Sequence, residues 1–255
     1  MDNYLSAKSR DTGWKALFLV GGISALIAVI FFRRNIGAEL TAFNGFGVFS
    51  VPDEMPVRAL EWFTLLQENP LVGLAFLNVF DIVNYALVGL IFLALYGALK
   101  NTSKSAMLIA TTFGLIGIAV YFASNQAFEM LSLSVQYTAA VDETQQTIFL
   151  AAGEALLTAN NPGTFYPGTG ESLSLMLVLL AGLIISLVMW RSDDFGKAAA
   201  VFGILANGIG LMYFPALALA LAIYWLPPTI SAPFRMIWYV LIAIKLFKLG
   251  QQEST

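Results

Sequence analysis

Residues 71–99 read LVGLAFLNVFDIVNYALVGLIFLALYGAL, a nearly continuous apolar run in which Asp81 is the one charged residue. A helix needs about 20 mostly apolar residues to cross the hydrocarbon core of a bilayer, and this run exceeds that length. A carboxylate inside such a run is costly unless it faces a partner or a cavity. The stretch therefore predicts a membrane-spanning helix and marks Asp81 as the first candidate for a functional residue.

The composition of the whole chain indicates the same class. Of the 255 residues, 58% are hydrophobic and 11% are charged, whereas soluble domains carry about 25% charged residues. A net charge of -3 without a basic cluster argues against a nucleic-acid partner. The chain has no Cys and no His, which excludes disulfides, thiol nucleophiles, His-based triads and most zinc sites.

Six apolar runs are long enough to span, so we expect an all-α integral membrane protein. The predicted fold is a six-transmembrane helix bundle that forms a single membrane domain over residues 1–255. Short amphipathic helices are expected in two outside segments, 33–70 and 129–171. The predicted spans are residues 14–32, 71–99, 106–128, 173–190, 198–226 and 233–249.

The distribution of Lys and Arg predicts the orientation, because cytoplasmic loops of membrane proteins are enriched in basic residues. With a cytoplasmic N-terminus, nine basic residues lie inside and four outside. The segment 129–171 contains no Lys or Arg, which favours the same orientation, whereas Arg33 and Arg34 oppose it. Both termini are therefore expected on the cytoplasmic side of the cell membrane. The inside set is Lys8, Arg10, Lys15, Lys100, Lys104, Arg191, Lys197, Lys245 and Lys248, and the outside set is Arg33, Arg34, Arg58 and Arg235.

The first outside segment contains a Gly- and Phe-rich stretch, residues 41–56, followed by VRALEWFTLLQEN, residues 57–69. Val57, Leu60, Phe63 or Thr64, and Leu66 or Gln67 recur there at roughly helical spacing, and Trp62 and Phe63 suit the membrane interface. Two interpretations stay open: a lid or re-entrant element over the bundle, or an interfacial helix that links two spans.

The second outside segment carries a helix-start signal. Asp142 with Gln145 three residues later predicts an N-cap for a helix that begins at Glu143. The Pro-Gly pairs of residues 161–170 then predict turns. Polar side chains of this segment either line the mouth of a site or form a solvated cap. They are Gln136, Gln145, Gln146 and Glu154.

Four polar residues of the second span predict a polar stripe. At about 100° per residue on a continuous helix, Asn78, Asp81, Asn84 and Tyr85 fall within about one third of the circumference. Lipid cannot hydrogen-bond these groups, so the stripe should face the bundle interior. Arg235, at the outer end of the last span, is a geometrically possible counter-ion for Asp81. Asp81 is either a protonatable or cation-binding carboxylate in a pathway, or one half of a structural pair.

Two further polar clusters lie in the spans. Asn207 stands among Gly203, Gly208 and Gly210, spacings that let helices approach closely, and Pro215 is expected to kink the same span. A second polar cluster lies at the end of the third span. It either marks the point where the span leaves the bilayer or lines one vestibule together with the polar stripe of the second span. This cluster consists of Ser124, Asn125, Gln126 and Glu129.

Enzyme signatures are not found. Serine chemistry lacks a His base, an aspartyl protease would need two membrane carboxylates, and neither a P-loop nor GxGxxG is present. No acidic pairs stand at metal-ligand spacing, so neither a metal nor a cofactor is expected. Enzyme activity is the least favoured of the function classes.

Three stretches carry a resemblance to a known family: FLALYGALK at 92–100, ASNQAFEMLSLSVQYTAAVDETQQTIFLAAGEALL at 123–157 and FGKAAAVFGILANGIGLMYF at 195–214. Together they resemble a family of small prokaryotic multi-pass membrane proteins, described only as a domain of unknown function, over roughly residues 70–250. The resemblance implies a helical membrane fold and a bacterial or archaeal source. It supplies neither an activity nor site residues.

Two functional hypotheses follow. The first is a small-solute or ion binding or transport-type bundle with an internal polar site. The second is a structural or partner-binding membrane subunit without transport or catalysis, in which the polar residues hold helices together. In both, the lipid bilayer is the expected partner, and a homo-oligomer or a larger membrane complex is compatible. The candidate site residues are Asn78, Asp81, Asn84, Tyr85, Asn207 and Arg235.

Overall fold

A computed structural model describes residues 2–31, 55–160, 162, 168–219 and 222–251. Within these ranges the protein is helical and contains no strand. The predicted Gly- and Phe-rich stretch and the predicted turns after Asn160 lie largely outside the described residues. The helices are α1 (Asp2–Phe31), α2 (Ala59–Glu68), α3 (Pro70–Phe76), α4 (Val79–Leu99), α5 (Lys104–Ser124), α6 (Ala127–Ala139), α7 (Glu143–Ala159), α8 (Thr169–Arg191), α9 (Lys197–Leu211), α10 (Tyr213–Ala218) and α11 (Leu226–Gln251).

Five helical segments are long and apolar enough to cross a membrane. The apolar part of α1, Trp14–Ile30, is shorter than these five. Between 33% and 44% of the most apolar window of each segment is buried inside the protein, so much of each window faces outward. Large exposed apolar side chains such as Ile23, Leu108 and Leu187 are typical of helices that contact lipid. The five segments are Val79–Leu99, Lys104–Ala139, Thr169–Arg191, Lys197–Ala218 and Leu226–Gln251.

The chain forms two compact units. The first combines the segments Met1–Phe32, Asn84–Ala119 and Leu173–Thr255, and the second combines Arg33–Val83 and Val120–Ser172. In the first unit α11 packs against both α1 and α9. Its core is aliphatic and aromatic. The core residues that are no more than 1% exposed include Ile91, Phe92, Leu95, Ile185, Trp238, Ile242 and Leu246.

The second unit packs α2 and α7 against α6, and α3 against α2. Its core contains Trp62, Phe63, Leu66 and Met130, each exposed by no more than 1%. The apolar face of α2 differs from the one expected from the sequence, because Leu60 is 47% exposed and Trp62 is buried instead. The helix is rotated so that its two largest side chains enter the core, where each buries far more apolar surface than Leu60 would.

Two carboxylates organise the start of α2. Glu61 accepts hydrogen bonds from the backbone N–H groups of Val57 at 2.7 Å and Arg58 at 3.2 Å, and these bonds lower the pKa of its carboxyl group. Glu154 of α7 accepts from the N–H of Ala59 at 3.1 Å and lies 3.8 Å from the Arg58 guanidinium. Carboxylates that accept from the free N–H groups of a first turn stabilise the helix there. These bonds fix α2 to α7.

The N-cap expected at Asp142 is present. Its Oδ1 accepts from the N–H of Gln145 at 2.8 Å, and α7 begins at the next residue. The Gln145 side chain accepts from the N–H of Val141 at 3.3 Å rather than from that of Asp142. The reciprocal bond of the capping box is thus displaced by one residue toward the N-terminus.

Two of the later segments differ from the predicted spans. The segment with Pro215 is interrupted at Met212, between α9 and α10, because Pro215 has no N–H to donate to the carbonyl of Leu211. The last helix begins at Leu226 rather than at Pro233, which lies inside it. Proline is well tolerated in the first turn of a helix, so Pro227 and Pro228 start α11 instead of preventing it.

The apolar run 71–99 is not one helix. α3 ends at Phe76, α4 begins at Val79, and Asn78 between them has a φ of 62°, in the left-handed region. Asparagine adopts this conformation more readily than other residues with a side chain, apart from Asp. The N–H of Asn78 donates to Ala75 O at 3.0 Å, and the N–H of Asp81 donates to Asn78 O at 3.1 Å. Asp81 therefore lies in the first turn of α4, where a carboxylate is favoured by the helix dipole.

The helix break at Asn78 predicts the relative stability of two substitutions at this position. In a left-handed conformation a Cβ is unfavourable by about 1 kcal/mol, so Asn78→Ala should be less stable than Asn78→Gly by that amount. In a continuous helix the order would be reversed, because Gly is about 1 kcal/mol worse than Ala there. Reversible unfolding of both variants in detergent micelles measures the difference. Ala86→Gly, at an exposed position of α4, is the control and should lower the free energy of unfolding. If Asn78→Ala is more stable than Asn78→Gly, the helix is not broken at Asn78.

Candidate functional site

The second unit contains a cavity to which six helix termini contribute. It lies at the α3–α4 junction, the α5–α6 junction, the C-terminal end of α7 and the first turn of α8, and we call it the junction cavity. Leu77, Met130 and Leu157 supply apolar walls. The polar residues that carry its chemistry are Asn78, Tyr121, Asn125, Gln126, Asn160 and Glu171.

The α3–α4 junction is stabilised by two side chains, Tyr121 of α5 and Asn125, which directly follows that helix. Asn125 Nδ2 lies 3.4 Å from both Leu77 O and Asn78 O and donates to them, and the Tyr121 hydroxyl donates to Asn78 O at 3.4 Å. A helix interruption leaves carbonyl groups without partners in their own helix. The Asn125 and Tyr121 side chains supply the missing donors at this interruption.

Asn125 also organises the α5–α6 junction. Its N–H donates to Tyr121 O at 3.0 Å as α5 ends, and its Oδ1 accepts from the N–H of Ala127 at 3.1 Å as α6 begins. One side chain thus serves two helix junctions with its donor and its acceptor. Gln126 is the N-cap residue of α6, but its side chain makes no capping bond.

Two amide oxygens at the cavity are buried without a hydrogen-bond partner among the described residues. They are Oε1 of Gln126 and Oδ1 of Asn160. Asn160 ends α7, and its N–H donates to Leu156 O at 3.0 Å, while its side-chain oxygen accepts nothing from the described part of the chain. A buried polar atom left unpaired costs about 1–3 kcal/mol, so two at one cavity point to a donor that the described residues do not supply.

The charge at the cavity comes from Glu171. This residue lies in the first turn of α8, where the free N–H groups and the helix dipole favour a carboxylate. Among the described residues that line the cavity, the remaining ionisable side chain is the phenol of Tyr121, and none is basic. Besides this carboxylate, the lining contains the amide side chains of Asn78, Asn125, Gln126 and Asn160, whose oxygens accept and whose nitrogens donate hydrogen bonds.

The space inside is narrow. The empty volume is about 360 Å³ including its open mouth, but the interior admits only about one water-sized sphere. Sugars, nucleotides and amino acids are much larger than this. The cavity fits a water molecule, a small ion or the end of a small polar solute.

The candidate residues expected from the sequence are distributed over both units. Asn78 lines the junction cavity, and Asp81 lies three residues further on in the second unit, outside the lining. Asn84 and Tyr85 belong to the first unit, where Asn84 is 7% exposed and its Oδ1 has no hydrogen-bond partner among the described residues. Asn78 lies in the break rather than on α4, so the predicted four-residue stripe on one continuous helix is not formed.

Asn207 and Arg235 both belong to the first unit. Arg235 of α11 approaches α9 at Gly210, where a Cβ would lie 3.1 Å from its Nη2. Because Asp81 and Arg235 belong to different units, their pairing stays a prediction.

The side chain of Asn207 takes part in the packing of α8 against α9. Its Nδ2 donates to Gly203 O at 2.8 Å, and its amide fills the space left by the missing side chain of Gly182. Ser186 likewise donates to Gly182 O at 2.7 Å. Small residues of α8 and α9 therefore let these helices approach, while the polar side chains are satisfied by the turn before them.

Sequence reasoning identified part of the junction cavity. The polar cluster of Ser124, Asn125, Gln126 and Glu129 was expected to end a span or to line a vestibule. Its first three residues line the cavity, and Glu129 does not. Tyr121, Asn160 and Glu171 were not singled out. Asn160 directly precedes the turn-forming stretch 161–170, and Glu171 directly follows it, which is the one local signal that marks them.

Comparisons with known proteins add no residues to this site. No protein-family model matches the chain, and neither the curated proteins nor the solved structures give a match. The candidate site is therefore defined by the geometry of the described residues.

The close packing of Gly170 against Ser124 predicts that a larger residue at position 170 destabilises the protein. A Cβ at Gly170 would overlap Ser124 Cβ and lie 2.8 Å from its Oγ, so Gly170 permits the start of α8 to lie against the end of α5. Gly170→Ala should lower the free energy of unfolding by about 1–3 kcal/mol. Unfolding of the purified protein in micelles measures this change.

Two further variants control the measurement. Gly208→Ala is the matched control, because nothing lies within 4 Å of its Cβ position, and it should be neutral or stabilising. Adding Ser124→Gly to Gly170→Ala removes the overlapping atoms and should restore most of the loss. A destabilisation that is the same with and without Ser124→Gly would exclude this contact as its cause.

Proposed function

We propose that the protein is a six-span membrane protein that binds a small solute or ion at the junction cavity, as the binding step of a transport-type function. One observation carries the proposal: a polar cavity at six helix termini holds two buried amide oxygens without a partner among the described residues. Unwound backbone and broken helices are tolerated within membrane proteins where they line a cavity, and transporters commonly build their binding sites from them.

The six-span arrangement belongs to the same proposal. The five membrane-length segments and the apolar part of α1, Trp14–Ile30, supply the six crossings. The excess of basic residues in the predicted inside segments supports cytoplasmic termini and the cell membrane as the location. Membership of the small prokaryotic family that the sequence resembles is also proposed, and it carries no activity with it.

Each residue at the cavity has a proposed role. Gln126 and Asn160 accept from the bound molecule, Glu171 supplies negative charge, and Asn125 and Tyr121 keep the α3–α4 junction open by satisfying its carbonyl groups. The other candidates do not line the cavity and have no role in this proposal. They are Asp81, Asn84, Tyr85, Asn207 and Arg235.

The alternative is a structural or partner-binding subunit, in a homo-oligomer or a larger membrane complex. The bonds of Asn207 and Ser186 within their own helices favour it, since both side chains serve helix packing in the first unit. Under this alternative a permanently bound water satisfies the two amide oxygens, and no solute exchanges with it.

Equilibrium binding to the purified full chain separates the two functions. The probes are radiolabelled rubidium, methylammonium, urea and glycerol, two charged and two uncharged. At least one should bind saturably, and Gln126→Met should weaken it by about tenfold or more, because a hydrogen bond to a bound ligand is lost. Gln146→Met, on α7 and outside the cavity lining, is the matched control and should bind normally.

The stability of the same variants completes the test. Replacing an unpaired buried amide by the apolar Met should leave the ligand-free protein as stable as before or more stable. If no probe binds, and Gln126→Met simply unfolds more easily, the cavity is structural and the alternative function holds.

A further inference from the structure

The described basic side chains of the first unit, apart from Arg235, lie at one end of its helices. They stand at the connection between α4 and α5, at the connection between α8 and α9, in the last two turns of α11 and on α1 next to Trp14. We call this surface the basic end. It consists of Lys15, Lys100, Lys104, Arg191, Lys197 and Lys248, together with the ion pair of Lys245 and Asp194.

Three contacts within the first unit join these segments into one surface. The Lys100 Nζ atom lies 3.8 Å from the centre of the Trp14 ring, so α1 lies against the end of α4. A Cβ at Gly250 would lie 3.4 Å from the carbonyl oxygen of the residue that follows Trp14, so the same part of α1 contacts the end of α11. The Lys245 Nζ atom lies 3.8 Å from Asp194 Oδ1, which connects α11 to the loop between α8 and α9.

The basic end carries an excess of positive charge. Among its described side chains, seven are basic and two are carboxylates, Asp193 and Asp194. Asp194 pairs with Lys245, and none of the other six basic residues forms an ion pair with a described carboxylate. The Lys197 ammonium donates to a carbonyl at the end of α8. Lys104 is the first residue of α5, where the helix dipole disfavours a cation, so the stability of α5 does not explain its position.

Positive charge borders directly on apolar surface at this end. Residues four apart lie on the same face of a helix, about 6 Å apart along its axis. Five of the six basic residues have a large exposed apolar side chain at this spacing on their own helix, one turn further into it. The pairs are Lys15 and Leu19, Lys104 and Leu108, Arg191 and Leu187, Lys197 and Val201, and Lys248 and Ile244.

An anionic phospholipid has the matching chemistry, because its headgroup is negatively charged and its acyl chains lie directly below that charge. Lys, Arg and Trp side chains are typical of the level at which headgroups meet a spanning helix. A nucleic acid or an acidic soluble protein would match the charge and leave apolar side chains such as Leu108 and Leu187 without a partner.

We propose that the basic end binds the headgroups of anionic phospholipids. The basic residues contact the phosphate groups, and the apolar member of each pair contacts the acyl chains. This inference concerns a surface of the first unit and goes beyond the junction cavity. It depends on the membrane-spanning helices and not on the proposed solute.

Binding of two phospholipids with identical oleoyl chains to the full chain tests this inference. Dioleoylphosphatidylglycerol carries a negative charge, and dioleoylphosphatidylcholine carries no net charge. Each is added to the purified protein in uncharged detergent, and native mass spectrometry gives the dissociation constant of the first bound lipid. Phosphatidylglycerol should bind at least about fivefold more tightly, the contribution expected from one basic residue near an anionic lipid. The difference should decrease as the salt concentration rises.

Single-charge variants identify the surface. Lys104→Gln should weaken the binding of phosphatidylglycerol by about fivefold and leave that of phosphatidylcholine unchanged. Lys104→Arg keeps the charge and should keep the affinity. Arg58→Gln is the matched control, because it removes one exposed positive charge from the second unit, and it should bind normally. Thermal unfolding verifies the fold of each variant. Lys248→Gln, at an exposed position in the last turn of α11, is the second test and should act like Lys104→Gln.

Three results would overturn the inference. Equal affinity for the two lipids would mean that the basic residues only orient the chain in the membrane. A preference for phosphatidylglycerol that is undiminished in both Lys104→Gln and Lys248→Gln would place the headgroup elsewhere. Binding of polyglutamate that Lys104→Gln weakens, without a preference for phosphatidylglycerol, would assign the surface to an acidic protein. These measurements do not involve Gln126, so they leave solute binding at the junction cavity to its own test.

Discussion

A buried helix interruption has to satisfy the backbone N–H and C=O groups that it exposes, and this requirement shapes the second unit. At the interruption the Asn125 side chain donates to the carbonyl groups of Leu77 and Asn78. The Asn78 carbonyl also accepts from the Tyr121 hydroxyl and from the N–H of Asp81. Asn125 can do so because it stands at an interruption itself. The two breaks are therefore mutually dependent, and together they hold open the space that α7 and α8 complete.

The same requirement explains the chemistry left in the cavity. Amide donors are used to satisfy carbonyl groups of the broken helix, whereas the oxygens of Gln126 and Asn160 receive nothing from the described residues. The cavity thus contains two buried acceptors without a partner among the described residues, together with the Glu171 carboxylate. In the first unit Asn84 Oδ1 is also buried without a partner among the described residues, but two other polar side chains of that unit are satisfied. There Ser186 and Asn207 donate to carbonyl groups of their own helices, and glycines let α8 and α9 approach closely, which produces packing instead of a cavity.

The sequence predicts the apolar helices well because hydropathy over a long window depends on composition and not on contacts. It also predicts the Asp142 N-cap, since the bond from Gln145 N is local. It does not predict the break at Asn78, because that residue stands in an apolar run without adjacent Pro or Gly, and the donors that stabilise the break come from residues more than forty positions away. Asn160 and Glu171 join the cavity only through tertiary packing, which no periodicity in one chain reveals.

An experimental structure of the full chain in lipid, determined in potassium chloride at a resolution that shows ordered ions and water, tests the central claim most directly. The account predicts Asn78 in the left-handed conformation between two helices. It also predicts a density peak in contact with Oε1 of Gln126 and Oδ1 of Asn160, with the Glu171 carboxylate at the same cavity. A continuous helix through residues 77 and 78, or a closed interior in which protein donors bond both amide oxygens, would contradict it.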